Sequence, residues 1–186
     1  MPMKSPKWLM LIMLLFCLPC QSQEYAMKTN LLKGTALCFN MGLEKSLSNQ
    51  WTAEISGSYN PWTLKHNRKW KHWMLQPELR YWPCQKFNGW FLAAYVQGGA
   101  FNIGHLPFPS LEDSRYEGWF IGGGVGLGHQ WLLSRHLSVE AEAGWGYNYS
   151  RYNRYGCHVC AQKTEADRPY HYLGVSKLTL GFIYVF

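Results

Sequence analysis

The stretch LSVEAEAGWGYNY, Leu137–Tyr149, decides the fold. Leu137, Val139, Ala141, Ala143, Trp145, Tyr147 and Tyr149 share one side of an extended chain, and Ser138, Glu140, Glu142, Gly144, Gly146 and Asn148 share the other. Strict period two means a β-strand, because successive side chains leave opposite faces. The two acids oppose a reading of the second face as an ordinary dry core.

The same alternation recurs on both sides of this stretch. Leu37, Phe39, Met41 and Leu43 alternate with Cys38, Asn40, Gly42 and Glu44. Trp51, Ala53, Ile55 and Tyr59 alternate with Thr52, Glu54, Ser56 and Ser58, and Leu75, Leu79 and Tyr81 with Gln76, Glu78 and Arg80. Trp119, Ile121, Val125 and Leu127 interleave with Gly122, Gly124, Gly126 and Gly128. The last strand carries Leu178, Leu180, Phe182, Tyr184 and Phe186 on one side. Trp90 to Ile103 is long and apolar on both sides, and a first strand runs from about Gln23 to Leu32, with Lys28 and Asn30 facing away from Met27, Thr29 and Leu31. That predicts an all-β, eight-stranded antiparallel up-and-down barrel of outer-membrane type. Hydrocarbon forbids open sheet edges, so the sheet must close. Period two labels neither face by itself, and a soluble lipocalin-like barrel would turn the apolar row inward.

Connections and aromatics favour the membrane version. Ser48–Gln50, Pro83–Gly89 and Leu133–His136 are short, while Pro61–His72, Gly104–Glu117 and Ser150–Tyr170 are long, the asymmetry of periplasmic turns and external loops. Aromatics make up 17% of the chain, and Trp51, Tyr59, Trp62, Trp73, Trp82, Trp90, Trp119, Trp131 and Tyr147 sit at strand ends, where girdles form. Phe186, with alternate apolar residues behind it, is expected to be read by barrel-assembly machinery. The glycine row leaves room in a narrow interior for Phe91, Tyr95 and Arg80.

The chain's start reads as a leader. Lys4 and Lys7 precede the apolar run Trp8 to Leu18, and Cys20-Gln21-Ser22 offers small residues for cleavage. Residues 1–22 are therefore expected to be a signal peptide, and 23–186 a single β-barrel domain exported across the inner membrane to the outer membrane. Loss of Lys4 and Lys7 with the leader would lower the net charge from +7 to about +5, a mild basicity that does not call for nucleic acid; lipid phosphates and anionic sugars are the expected counterparts. Cys38, Cys84, Cys157 and Cys160 are too few and scattered for a disulfide-built fold, and Cys38 and Cys84 are expected unpaired.

Three groups of residues carry possible chemistry. Lys28, Glu44, Glu54, Glu78, Arg80, Glu140, Glu142 and Lys177 share the inward set and predict one polar network centred on Arg80, since charges in a tight interior must be paired or wetted. Structural filling and a gated ion path are both open readings of it. Cys157, His158 and Cys160, with His171 nearby, are weak candidates for a metal, against a disulfide or free thiols. His66, Arg68, Lys69, Trp70, Lys71 and His72 make a basic aromatic external loop, either merely solvated or a partner site. His136, Ser138 and Glu140 share one strand face, but alternate residues lie about 6.6 Å apart, too far for a nucleophile–base bond without help from side-chain reach. No catalytic residue and no cofactor is assigned.

The strings Tyr59-Asn60-Pro61-Trp62, Asn67 to Trp73, Gln76-Pro77-Glu78, Arg80-Tyr81-Trp82, Phe87-Asn88-Gly89 and Arg115 to Trp119 resemble a Bacteroidota family of unknown function, number 3575 among the domain-of-unknown-function families. The resemblance covers essentially the whole mature chain. It implies a small outer-membrane barrel, with some members similar to accessory proteins encoded beside fimbrial subunits, and it supplies no catalytic residues. The expected role is non-enzymatic: structural or surface-interacting, in support of fimbriae or envelope integrity, with outer-membrane lipid and an envelope or fimbrial protein as partners. The alternative is a lipid-active enzyme, such as a lipid hydrolase, or a small-ligand-binding barrel.

Overall fold

The computed structural model describes residues 24–64, 68–104, 114–156 and 163–186. In chain order they form β1 (Tyr25–Asn30), α1 (Leu31–Thr35), β2 (Phe39–Ser46), β3 (Trp51–Leu64), β4 (Arg68–Tyr81), β5 (Gly89–Gly104), β6 (Ser114–Leu132), β7 (Leu137–Gly156) and β8 (Lys163–Val185). Each strand pairs antiparallel with the next, and β1 closes the barrel against β8. At that seam Ala26 lies opposite Val185 and Asn30 opposite Gly181, and the amides of Glu24 and Tyr25 both donate to the Phe186 carbonyl. Along this seam the sheet has no free edge; above Gly181, β8 runs on past β1 and is laddered to β7 alone.

Both described ends of the chain and the three short turns lie at one end of the barrel. The long hairpins rise at the other. The wall is uneven: β1 has 6 residues and β8 has 23, so the rim is low at β1–β2 and high at β6–β8. At the low rim the chain makes the single helical turn α1, where the Asn30 side chain accepts from the Leu32 amide. The β1–β2 connection is thus a helical turn and not a tight reversal. It also trims both neighbouring strands: β1 stops at Asn30, and Leu37, expected in β2, has φ +56° and lies in the connection.

The three long loops are corrected as well. Most of Pro61–His72 and Ser150–Tyr170 is strand, and within Gly104–Glu117 the described residues, Gly104 and Ser114 to Glu117, are strand as well, with pairing that reaches Leu64↔Arg68, Gly104↔Arg115 and Tyr155↔Lys163. Alternation reports a difference in burial between two faces, whereas the hydrogen-bond ladder needs none. Where both faces are polar the pattern vanishes and the ladder continues.

The barrel is inside out relative to an ordinary soluble protein. Val125 is 66% exposed, Trp145 57% and Phe182 42%, while Arg80 is 0% and Glu140 1% exposed. The interior is filled in layers. At the short-turn end Trp82, Phe87 and Phe91 form an aromatic plug with Ala26, Ile183 and Val185. Trp82 was expected in a girdle. Instead it follows Tyr81 at the opposite parity, turns inward, and donates from Nε1 to Thr52 Oγ1 at 2.9 Å. The glycine row makes room for this filling: a Cβ at Gly128 would overlap the Phe91 ring, and one at Gly124 would come within 2.7 Å of the Tyr95 hydroxyl.

Candidate functional site: the charged interior

Above the aromatic plug lies a layer of ionisable side chains. Strand register explains its composition. Glu44 is opposite Glu54, and Glu54 is opposite Glu78, so three carboxylates run side by side across β2, β3 and β4. Like charges directly opposite are destabilising. Cations reaching in from other positions compensate them.

Arg80 is the hub. Its Nε lies 2.6 Å from Glu78, Nη1 2.7 Å from Glu140, and Nη2 2.8 Å from Glu54 and 3.0 Å from Glu142. The planar fork allows this division among four acids on three strands. Its guanidinium carbon also stands 4.4 Å from the centroid of Phe91, which seats the charge on the plug. Lys28 reaches Glu140 at 3.1 Å and Glu54 at 3.2 Å and also pairs with Glu44. Lys177 pairs with Glu142 at 2.7 Å and with Glu78. All eight residues expected in the polar network are therefore brought together, five acids with three bases.

Buried polar atoms flank the hub. Thr52 donates to Glu44, and Glu142 Oε1, Ser138 Oγ and both amide atoms of Gln130 have no partner among the described residues. Gln130 ends the glycine row, and its burial follows from that row's parity. A second polar layer lies nearer the long hairpins, where Gln97 Nε2 donates to Asn148 Oδ1 at 2.6 Å and the Tyr95 and Ser176 hydroxyls are 2.5 Å apart. Ser176 reaches the interior because the β7–β8 register shifts between Gly144 and Trp145, which no pattern in the sequence announces. Under α1 a narrow cavity of about 30 Å³ remains, lined by Lys28, Asn30, Lys33, Asn40, Glu54 and Lys177 among others. That is room for a water or two. Burial and the nearby Lys177 push the Lys33 ammonium below its ordinary pKa.

His136, Ser138 and Glu140 do not assemble a relay: the His136 ring Nδ1 lies 3.0 Å from the Val185 carbonyl, the Ser138 hydroxyl is buried with no partner among the described residues, and Glu140 is held by Arg80 and Lys28. Cys157, His158 and Cys160 lie outside the described residues. The His171 ring lies tilted against Tyr149, with Nδ1 2.5 Å from the Tyr147 hydroxyl. His66 also lies outside, and of Arg68 only the backbone is described. The rest of that basic stretch is corrected from loop to β4: Lys69 and Lys71 share the outer parity with Trp73, while Trp70 and His72 share the inner parity with Arg80. His72 Nε2 lies 3.4 Å from the buried thiol of Cys38, a contact across 34 residues that spacing does not reveal. Cys38 and Cys84 are both free.

Fold and site together define a small closed antiparallel barrel with an apolar exterior and an ion-paired interior. The chain belongs to the family described as Protein of unknown function (DUF3575), which matches residues 8–186. No curated protein and no solved structure matches it.

Proposed function

We propose that this chain is an outer-membrane β-barrel with a structural or surface-interaction role, in support of fimbriae or envelope integrity, and not an enzyme. One observation carries the membrane reading: apart from the plug at the short-turn end, the large apolar side chains of the strands point away from the barrel axis, while eight ionisable ones are sealed inside. Water cannot be the solvent of so much exposed hydrocarbon in a monomer, since ordinary surface apolar patches reach only about 300–600 Å². Lipid can, and a closed ladder is what lipid requires. The short turns would then face the periplasm and the long hairpins the outside. The role rests on what the exterior end offers a partner, namely the tall β3–β4, β5–β6 and β7–β8 hairpins.

The test is membrane fractionation combined with gel mobility before and after boiling. Outer-membrane recovery and a heat-dependent shift are expected. Recovery in the aqueous fraction without detergent sinks the reading. Capture of a fimbrial or envelope partner, weakened by exchanging Lys69 to His72 for a Gly-Ser segment, would support the interaction role; lipid release lost on Ser138→Ala would replace it with an enzyme.

A further inference from the structure

The outer wall is not uniformly greasy. A trough runs down it along β5. Its upper part, about 590 Å³, lies below Lys71, Asn102 and Glu117, and its lower part, about 440 Å³, descends past Gly98 towards Val96 and Pro77. The two parts meet at Trp73, Ala100 and Trp119, which line both. Register sets Trp73, Ala100 and Trp119 side by side on β4, β5 and β6, a small residue between two large ring systems. One row lower, Gly98 lies between Leu75 and Ile121.

The absent side chain at Gly98 is not demanded by the fold. A Cβ there would meet only the Phe120 carbonyl at 3.6 Å, an ordinary contact, unlike Gly99 beside it, whose Cβ would overlap the Trp73 carbonyl. A strand interior otherwise disfavours glycine. What Gly98 supplies is space on the outside.

Charge at the upper end selects the occupant. The Glu117 carboxylate is taken by Arg115, whose Nη2 lies 2.5 Å away, and Asn102 accepts from Arg115 Nε at 2.9 Å. Lys71, which lines the upper part, is exposed and has no ion pair among the described residues, so its positive charge is left over at the top of an apolar slot. From Lys71 to Pro77 the strand advances about 20 Å, which at a tilt of roughly 40° is about 15 Å of depth. That equals half of the ~30 Å hydrocarbon core, the thickness of one leaflet.

Resting on the membrane reading above, the geometry points to a seat for one anionic membrane lipid, its acyl chain lying over Gly98 and Ala100 between Trp73 and Trp119, its phosphate at Lys71. The test uses the full barrel in neutral detergent micelles, offered phosphatidylglycerol and phosphatidylcholine with identical chains, with retained lipid counted by native mass spectrometry. One phosphatidylglycerol should stay bound in preference to phosphatidylcholine. Gly98→Leu with Ala100→Leu should lower retention of both roughly tenfold, since excluding even two methylenes from the slot has that effect. Lys71→Glu should abolish the preference and spare the chain-dependent part. Leucine suits a strand better than glycine, and heat-dependent gel mobility checks that each variant is folded. Equal retention by parent and filled variant, or retention without preference for the anionic lipid, overturns the seat while leaving the membrane reading intact. A barrel that does not enter micelles at all overturns both.

Discussion

Arg80 holds four carboxylates from β3, β4 and β7 with no exposed surface, so its removal should be felt more than that of any other side chain in the charged layer. Breaking a buried pair leaves the partner charge uncompensated, at about 3–5 kcal/mol. Arg80→Met is therefore predicted to lower stability by at least that amount, seen as a fall in the urea midpoint of the micelle-bound barrel. Arg80→Lys should recover only part, because an ammonium keeps the charge but loses the fork that divides it. A midpoint unchanged in Arg80→Met would mean that the acids are neutral or solvated without it. Packing supplies a second residue-scale prediction. Gly128→Val drives a side chain into Phe91 and should lower stability by about 1–3 kcal/mol. Adding Phe91→Ala should relieve the clash, so that the two changes together cost less than the sum of each alone.

Among the elements, the upper arms of β7 and β8 stand apart from the filled interior. Their ion pairs, Arg151 with Asp167 at 3.2 Å and Arg154 with Glu165 at 3.8 Å, are exposed or half-exposed, and such pairs contribute at most about 1 kcal/mol. Replacing the segment between Arg151 and Arg168 with a short Gly-Ser turn should leave heat-dependent gel mobility in place and the urea midpoint nearly unchanged. Collapse of folding on this excision would show that the arms nucleate the hairpin. These arms also mark how far the sequence could be read. Leu137–Tyr149 betrayed its strand because its two faces meet different surroundings, and parity alone put Glu140 and Glu142 on one face; which face is the inner one took the connections and the aromatics as well. Tyr152, Arg154 and Tyr155 are also strand, but both faces are polar there and the register slips, so composition looks like loop. Site residues follow the same logic. Parity put Arg80 and the five acids on one face, whereas the Cys38–His72 contact depends on strand register and the inward reach of Ser176 on a bulge, neither of which period two encodes.

Taken as a whole, the barrel is a cylinder stopped twice along its axis, by the Trp82–Phe91 plug and by the Arg80 layer directly on top of it. An ion path would need both to open. A narrow eight-stranded interior filled by side chains has no spare cross-section for a hydrated ion. The parent barrel is therefore predicted to give no steady conductance steps in planar bilayers. Trp82→Ala with Phe91→Ala should stay silent as well, because the ion-paired layer still spans the interior. Adding Arg80→Ser to those two changes removes the second stop and leaves five carboxylates facing only Lys28 and Lys177. Small steps should then appear, and the excess negative charge should make them cation-selective, as acidic rings do in cation channels. Gel mobility before and after boiling establishes that the triple variant has closed. Steps from the folded parent would show that the stops move on their own and that the charged layer is a gate. Anion selectivity in the triple variant would show that the acids carry protons once Arg80 is gone.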